Sequence, residues 1–172
     1  MRGVALEPAR AGAPRTRSRR RAAYAVLLGG VIAGTLDIAY AIAFWWLKAG
    51  VNPVRILQSV AAGLVGPAAA RGGGAATGVL GGVLQLVIAV TMASVYYAVS
   101  TRWRALIERP WAWGALYGLA LFGAMNYVVV PLSRARWSPP SLSLWVVCSV
   151  VVHVVAIGIP CALASRAAHR AA

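Results

Sequence analysis

Carboxylates are almost missing from this chain: Glu7, Asp37 and Glu108 are the only three in 172 residues. An intramembrane hydrolase that works with two acids lacks its second one, because Glu7 and Glu108 fall outside every long apolar run. Histidine occurs twice. His153 and His169 stand 16 residues apart on one expected helix, about 24 Å at 1.5 Å per residue, so they cannot grip one haem iron from both sides. Cysteine also occurs twice, and the helix between Cys148 and Cys161 separates them by about 20 Å, too far for a disulfide. They read as small buried hydrophobes. The patterns H-E-x-x-H, G-x-S-x-G and the Walker glycine loop are absent. No catalytic residue, metal or cofactor is expected.

Charge is scarce as well. Only 12% of the residues are charged and 60% are hydrophobic, far from the balance of a soluble domain. The apolar residues gather in four runs, 22–47, 75–99, 111–131 and 142–163, each close to the 20 or so helical residues that cross a hydrocarbon core. The expected fold is all-α, an integral membrane four-helix bundle.

Lysine occurs once, as Lys48, so the formal net charge of +14 is almost wholly arginine. Recognition of nucleic acid would require an ordered basic surface. Here the arginines lie in tails and loops beside apolar runs, a pattern of membrane topology and contact with anionic lipid rather than of nucleic acid. Residues 1–21 hold seven arginines, the second loop three and the C-terminal tail two, against three basic residues in the first loop and two in the third. Twelve against five places both termini in the cytoplasm by the positive-inside tendency. Trp45, Trp46, Tyr96, Tyr97, Trp111, Trp113 and Trp145 stand at the ends of the runs, where aromatic side chains anchor spans at the interface.

Within the first 21 residues and beyond, "SRRRAAYAVLLGG" has the twin arginines and apolar run of an export signal, with Ala39 and Ala41 forming an A-x-A triplet. The run continues through "IAFWWL" to an aromatic belt, so it is read as a retained span. Residues 1–21, rich in Arg, Ala and Pro, are expected to be a disordered cytoplasmic tail against anionic lipid, and 167–172 a short cytoplasmic tail.

The first loop is unusual. Asn52 and Pro53 have the types of a helix cap and first helical residue, and Gly66 and Pro67 end the stretch. Residues 53–64 form an amphipathic segment too short to span, expected at the outer interface or dipping into the bundle, as a space-filling surface helix or as a lid. The "ARGGGAATG" beyond it reads as a flexible joint.

Polar and small residues share faces inside the runs. Gly30 and Gly34 precede Asp37, Gly78 and Gly82 precede Gln85, and Gly114 and Gly118 repeat the spacing in the third run, where Asn126 lies farther along. Small residues four apart allow close helix packing, within the bundle, with a second copy or with another membrane protein. Ser149, His153, Ala156 and Pro160 make a small polar face on the fourth run. Asp37, Gln85, Asn126 and His153 thus supply one polar group per span at broadly similar depth. Gln85 and Asn126 read as interhelical hydrogen-bond groups. An acid and an imidazole at one level can share a proton, so Asp37 and His153 form the candidate functional pair.

The segments "NPVRILQSVAAGLVG", "WGALYGLALFGAMNYVVVPLS" and "HVVAIGIPCALASR" resemble, in order and placement, parts of small four-span bacterial inner-membrane proteins that carry no assigned function. The resemblance covers roughly 31–166. It implies an inner-membrane location and a helical bundle, and it brings no catalytic or binding residue.

Two functions of different class follow. The first is a non-catalytic structural, assembly or regulatory membrane component, favoured if glycine faces remain exposed on the packed monomer. The second is a small proton-linked transporter or channel using Asp37 and His153, favoured if a polar cavity reaches Asp37 beneath the 53–64 helix.

Overall fold

The computed structural model describes residues 13–139 and 141–171. Among the described residues there is no strand, and four helical stretches, Arg17–Ala49, Gly74–Ser100, Pro110–Leu132 and Leu144–Arg170, are long and apolar enough to cross a membrane. In chain order the elements are α1 (Ala13–Ala49), α2 (Pro53–Val65), α3 (Pro67–Gly72), α4 (Gly74–Ser100), α5 (Ala105–Glu108) and α6 (Pro110–Ala124). A π turn (Met125–Val129) joins α6 to α7 (Val130–Leu132), and a second π turn (His153–Gly158) joins α8 (Leu144–Val152) to α9 (Ile159–Ala171).

Both tails differ from expectation. α1 begins at Ala13, so 13–21 is helix rather than disordered chain, and residues 1–12 lie outside the described residues. Arginine and alanine are strong helix formers, and a segment continuous with an existing helix needs no new nucleus. The same holds for α9, which carries helix through the expected tail to Ala171. Gly50, at φ +62°, ends α1 with its N–H on the Trp46 carbonyl at 2.8 Å, a left-handed stop that suits glycine.

α2 starts as its sequence requires: the Asn52 Oδ1 accepts the Val54 N–H at 2.9 Å and Pro53 opens the helix. It lies along α4 rather than over the centre of the bundle. The glycine-rich stretch after it is not a loose joint. It forms α3, a turn at Gly73, and the start of α4 at Gly74, with Thr77 Oγ1 donating to the Ala70 carbonyl at 2.6 Å.

The fourth long helix is the hub, since α9 packs on α1, α4 and α6. Its core is built from small residues, including Ala33, Ala93, Cys161, Ala162 and Ala168, around Tyr96 and Ile157. Apolar stripes at i, i+4 face outward instead: Leu28, Ile32 and Leu36 on α1, Val79, Val83 and Val87 on α4, and Val147, Val151 and Val155 on the last helix and its π turn.

Candidate functional site

Close backbone approach sets the site. A β-carbon at Gly30 would lie 2.6 Å from Val90 Cα, and one at Gly34 would lie 2.8 Å from Ala89 Cβ, so α1 and α4 meet through these two glycines. On the far side of the bundle a β-carbon at Gly114 would lie 2.9 Å from Ile159 Cα, and one at Gly118 would run into the His153 carbonyl. The second glycine pair behaves differently. Gly78 faces Val54 of α2, not a long helix, and Gly82 has room, its β-carbon position lying 3.9 Å from Leu57 Cδ2. The intimate contact there belongs to Gly81, where a β-carbon would strike the Leu57 carbonyl. Gly29, against Ala164, and Gly158, against the Gly114 carbonyl, complete the close-packed set. A search for glycines alone at i, i+4 passes over Gly29 and Gly158, whose partners are an alanine and a neighbouring helix.

The α1–α4 approach brings Gln85 to Asp37. Gln85 Nε2 donates to Asp37 Oδ2 at 2.8 Å. His153 is the first residue of the second π turn, and its Nδ1 lies 2.8 Å from the Ser149 carbonyl. A carbonyl only accepts, so Nδ1 carries a proton and the neutral ring offers Nε2 as its acceptor. The ring also stands edge-on to Phe122, with centroids 5.4 Å apart at 88°. Among the described residues no hydrogen bond joins Asp37 to His153. They share a cavity instead.

That cavity has a volume of about 410 Å³ and is lined by Asp37, Asn126, His153 and four serines, Ser138, Ser141, Ser143 and Ser149, with Phe122 and Trp145 among its apolar walls. Its rim is the connection before α8, where Ser138 and Ser141 are exposed. Of the two readings of α2, the lid finds no support here, since α2 contributes nothing to the lining; it is packed along α4 at the Gly81 contact. Ser149 Oγ and the Tyr40 hydroxyl are buried beside each other at the cavity wall. Tyr40 stacks on Trp145 at 5.4 Å, and Phe44 and Trp45 complete an aromatic group around that indole.

Asn126 sits in the first π turn. Its Nδ2 donates to the Phe122 carbonyl at 2.9 Å, and its own carbonyl accepts the Trp137 indole N–H at 2.6 Å. Both π turns therefore carry a cavity residue, and wide turns of this kind recur at functional sites. Each is followed by a proline. The N–H of Val130 reaches the Met125 carbonyl, and that of Ile159 reaches the Val154 carbonyl, both five residues back. Pro131 and Pro160 come next in each case, and a proline has no N–H to resume the regular ladder while its ring crowds the carbonyl four residues back. These prolines were the available sequence signal for the widened turns.

Toward the other end the bundle closes. Tyr96 is buried, bonds the Leu106 carbonyl at 3.1 Å and meets Tyr117 edge to face, while the Tyr117 hydroxyl donates to the Met92 carbonyl at 2.8 Å. Beyond this plug lies a second polar group that the sequence did not single out. Ser100 Oγ lies 2.7 Å from Ser165 Oγ and 3.0 Å from His169 Nε2, beside a hollow of about 460 Å³ that Arg104 and Glu108 also line. Among the described residues no three His, Cys, Asp or Glu side chains gather as a metal site. Both cysteines are free.

Comparison with family models, curated proteins and solved structures gives no match to this chain.

Proposed function

We propose that the chain is an integral membrane protein of four spans that binds a small polar or cationic solute at Asp37 and couples its passage to a proton. The observation that carries this reading is the 410 Å³ polar cavity holding Asp37, Asn126 and His153. The glycine faces point the same way. Gly30, Gly34, Gly114 and Gly118 are consumed by the chain's own helices, which removes the argument that they await an assembly partner. The purely structural role is accordingly the weaker reading.

The membrane placement is supported by the length of the four helices and by outward stripes such as Val79, Val83 and Val87, surface that water would disfavour and lipid accepts. The arginine distribution argues for cytoplasmic termini, and the resemblance in layout argues for a bacterial inner membrane. The cavity then opens outward, and the Tyr96–Tyr117 plug closes it from the cytoplasm. In the mechanism we infer, a cationic solute entering past Ser138 displaces the proton from the Asp37 carboxyl. His153 Nε2 accepts that proton, and Gln85 holds the carboxylate in place throughout. The two π turns supply the local play in backbone register that an exchange between outward and inward access requires.

Proteoliposomes containing the pH dye pyranine, with tetramethylammonium added outside as the cationic probe and a potassium diffusion potential set by valinomycin, test this. The intact protein should carry protons faster than protein-free vesicles, and Asp37→Asn should lose that flux while reconstituting in equal amount. Equal flux from Asp37→Asn, or none above the protein-free rate from the intact chain, overturns the reading.

A further inference from the structure

Three arginines line one groove at the end of the bundle that carries the first and third connections. Arg55 comes from α2, Arg71 from the end of α3 and Arg136 from the segment before α8, and with Gln58 they line a hollow of about 360 Å³. Arg71 uses its Nε on the Pro67 carbonyl at 3.2 Å, which leaves both terminal nitrogens for another acceptor. Arg55 and Arg136 are exposed. Neither Asp37 nor Glu108 lines the groove: the first is held by Gln85 in the bundle, and the second borders the hollow beside His169. Among the described residues these three like charges gather without a protein counter-charge, an arrangement that suits an anion from outside.

Gln58 says more about that anion. It is 4% exposed, and its Nε2 donates to the Gly74 carbonyl at 2.8 Å and to Thr77 Oγ1 at 3.3 Å. Since a carbonyl cannot donate, the amide orientation is settled by this contact. Its Oε1 is left buried with no hydrogen-bond partner. Gln58 also lines the groove, so donors that suit a phosphate lie beside a residue whose buried acceptor is unsatisfied and suits a hydroxyl.

We propose that this groove binds a phosphate ester bearing a free hydroxyl, with the phosphate on Arg55, Arg71 and Arg136 and the hydroxyl donating to Gln58 Oε1. A hollow of this size falls in the range of small-molecule sites. The ester is either a lipid headgroup or a soluble phosphate ester, and the site is independent of any role for Asp37.

The test uses the full chain in an uncharged maltoside detergent, titrated by calorimetry with dihexanoyl phosphatidylglycerol, with glycerol 3-phosphate and with dihexanoyl phosphatidylcholine. One of the first two should saturate at one equivalent, and phosphatidylcholine should not. Binding of the lipid alone assigns a headgroup; binding of glycerol 3-phosphate assigns a soluble ester. Arg55→Gln and Arg136→Gln, both exposed, should each weaken the bound probe about tenfold or more, while Arg102→Gln, in the second connection, leaves it unchanged. Phosphatidylmethanol or methyl phosphate, which lack the hydroxyl, should bind about tenfold more weakly than the matching probe. Failure of both hydroxyl-bearing probes to saturate, or an equal response from Arg55→Gln and Arg102→Gln, overturns the site.

Discussion

Gln85 reaches across from α4 to hold the Asp37 carboxylate on α1 at 2.8 Å, while His153 stands on the same cavity with its Nδ1 committed to the Ser149 carbonyl. The direct partner of the acid is thus an amide. In the double-mutant cycle of Asp37→Leu and Gln85→Leu, detergent unfolding midpoints should give an interaction energy of about 0.5 to 3 kcal/mol, as for groups in contact. The cycle with His153→Leu should give the smaller value, since no hydrogen bond joins that pair. A larger coupling to His153 would contradict the arrangement.

Adjacent glycines make a sharper packing test. Gly81→Ala should destabilise the protein by about 1 to 3 kcal/mol, as overpacking does, because its β-carbon would strike the Leu57 carbonyl. Gly82→Ala, with 3.9 Å to Leu57 Cδ2, should be nearly neutral, and so should Gly72→Ala, which meets nothing within 4 Å. Thermal midpoints in detergent separate the three. Indistinguishable behaviour of Gly81→Ala and Gly82→Ala would mean that α2 does not lie on α4 as described.

The four long helices and the start of α2 at Asn52 were legible because hydrophobic runs and caps are local signals. The pairing of Gln85 with Asp37 was within reach in kind, since each lies three residues past a small residue, but spacing cannot choose the neighbour. Nor can it distinguish Gly81 from Gly82, a difference of about 100° around α4 that only the position of α2 decides. The choice between surface helix and lid stayed open in sequence for the same reason: amphipathicity gives α2 a buried face without saying what buries it. Composition suggested disorder for 13–21, whereas α1 runs through it, because helix propensity and continuity with a long helix outweigh a lack of apolar bulk.

Topology has its own measurement. Reporter fusions after Arg104 and after Ala172 should both read as cytoplasmic, and fusions after Arg71 or Arg136 as external, following the arginine count. An external reading at Arg104 would invert the orientation of the cavity and of the arginine groove together.

Access to the cavity can be mapped by thiol labelling from outside, with Cys148 and Cys161 first replaced by alanine. Ser141→Cys, on the exposed rim, should react with an impermeant methanethiosulfonate cation quickly. Ser149→Cys, buried but lining the cavity, should react more slowly. Ala93→Cys, in the sealed core around Tyr96, should not react. Labelling at Ala93→Cys ahead of Ser149→Cys would mean that the open path runs elsewhere.

The prolines give the most discriminating test of whether the widened turns serve the site. Pro160 follows the π turn that starts at His153, and its missing N–H is what keeps the ladder from closing at four residues. Pro160→Ala restores that donor and removes the ring crowding, and the regular helical bond it allows offsets the repacking of the turn against Gly114 and Gly118. Closing the turn rotates His153 relative to α9 and so moves its ring at the cavity that it shares with Asp37. Proton flux in the pyranine assay should therefore fall several-fold while the unfolding midpoint holds or rises. A destabilised variant with proportionally reduced flux would make the turn a packing feature, and an unchanged flux would show that proton exchange at Asp37 does not depend on the register of His153.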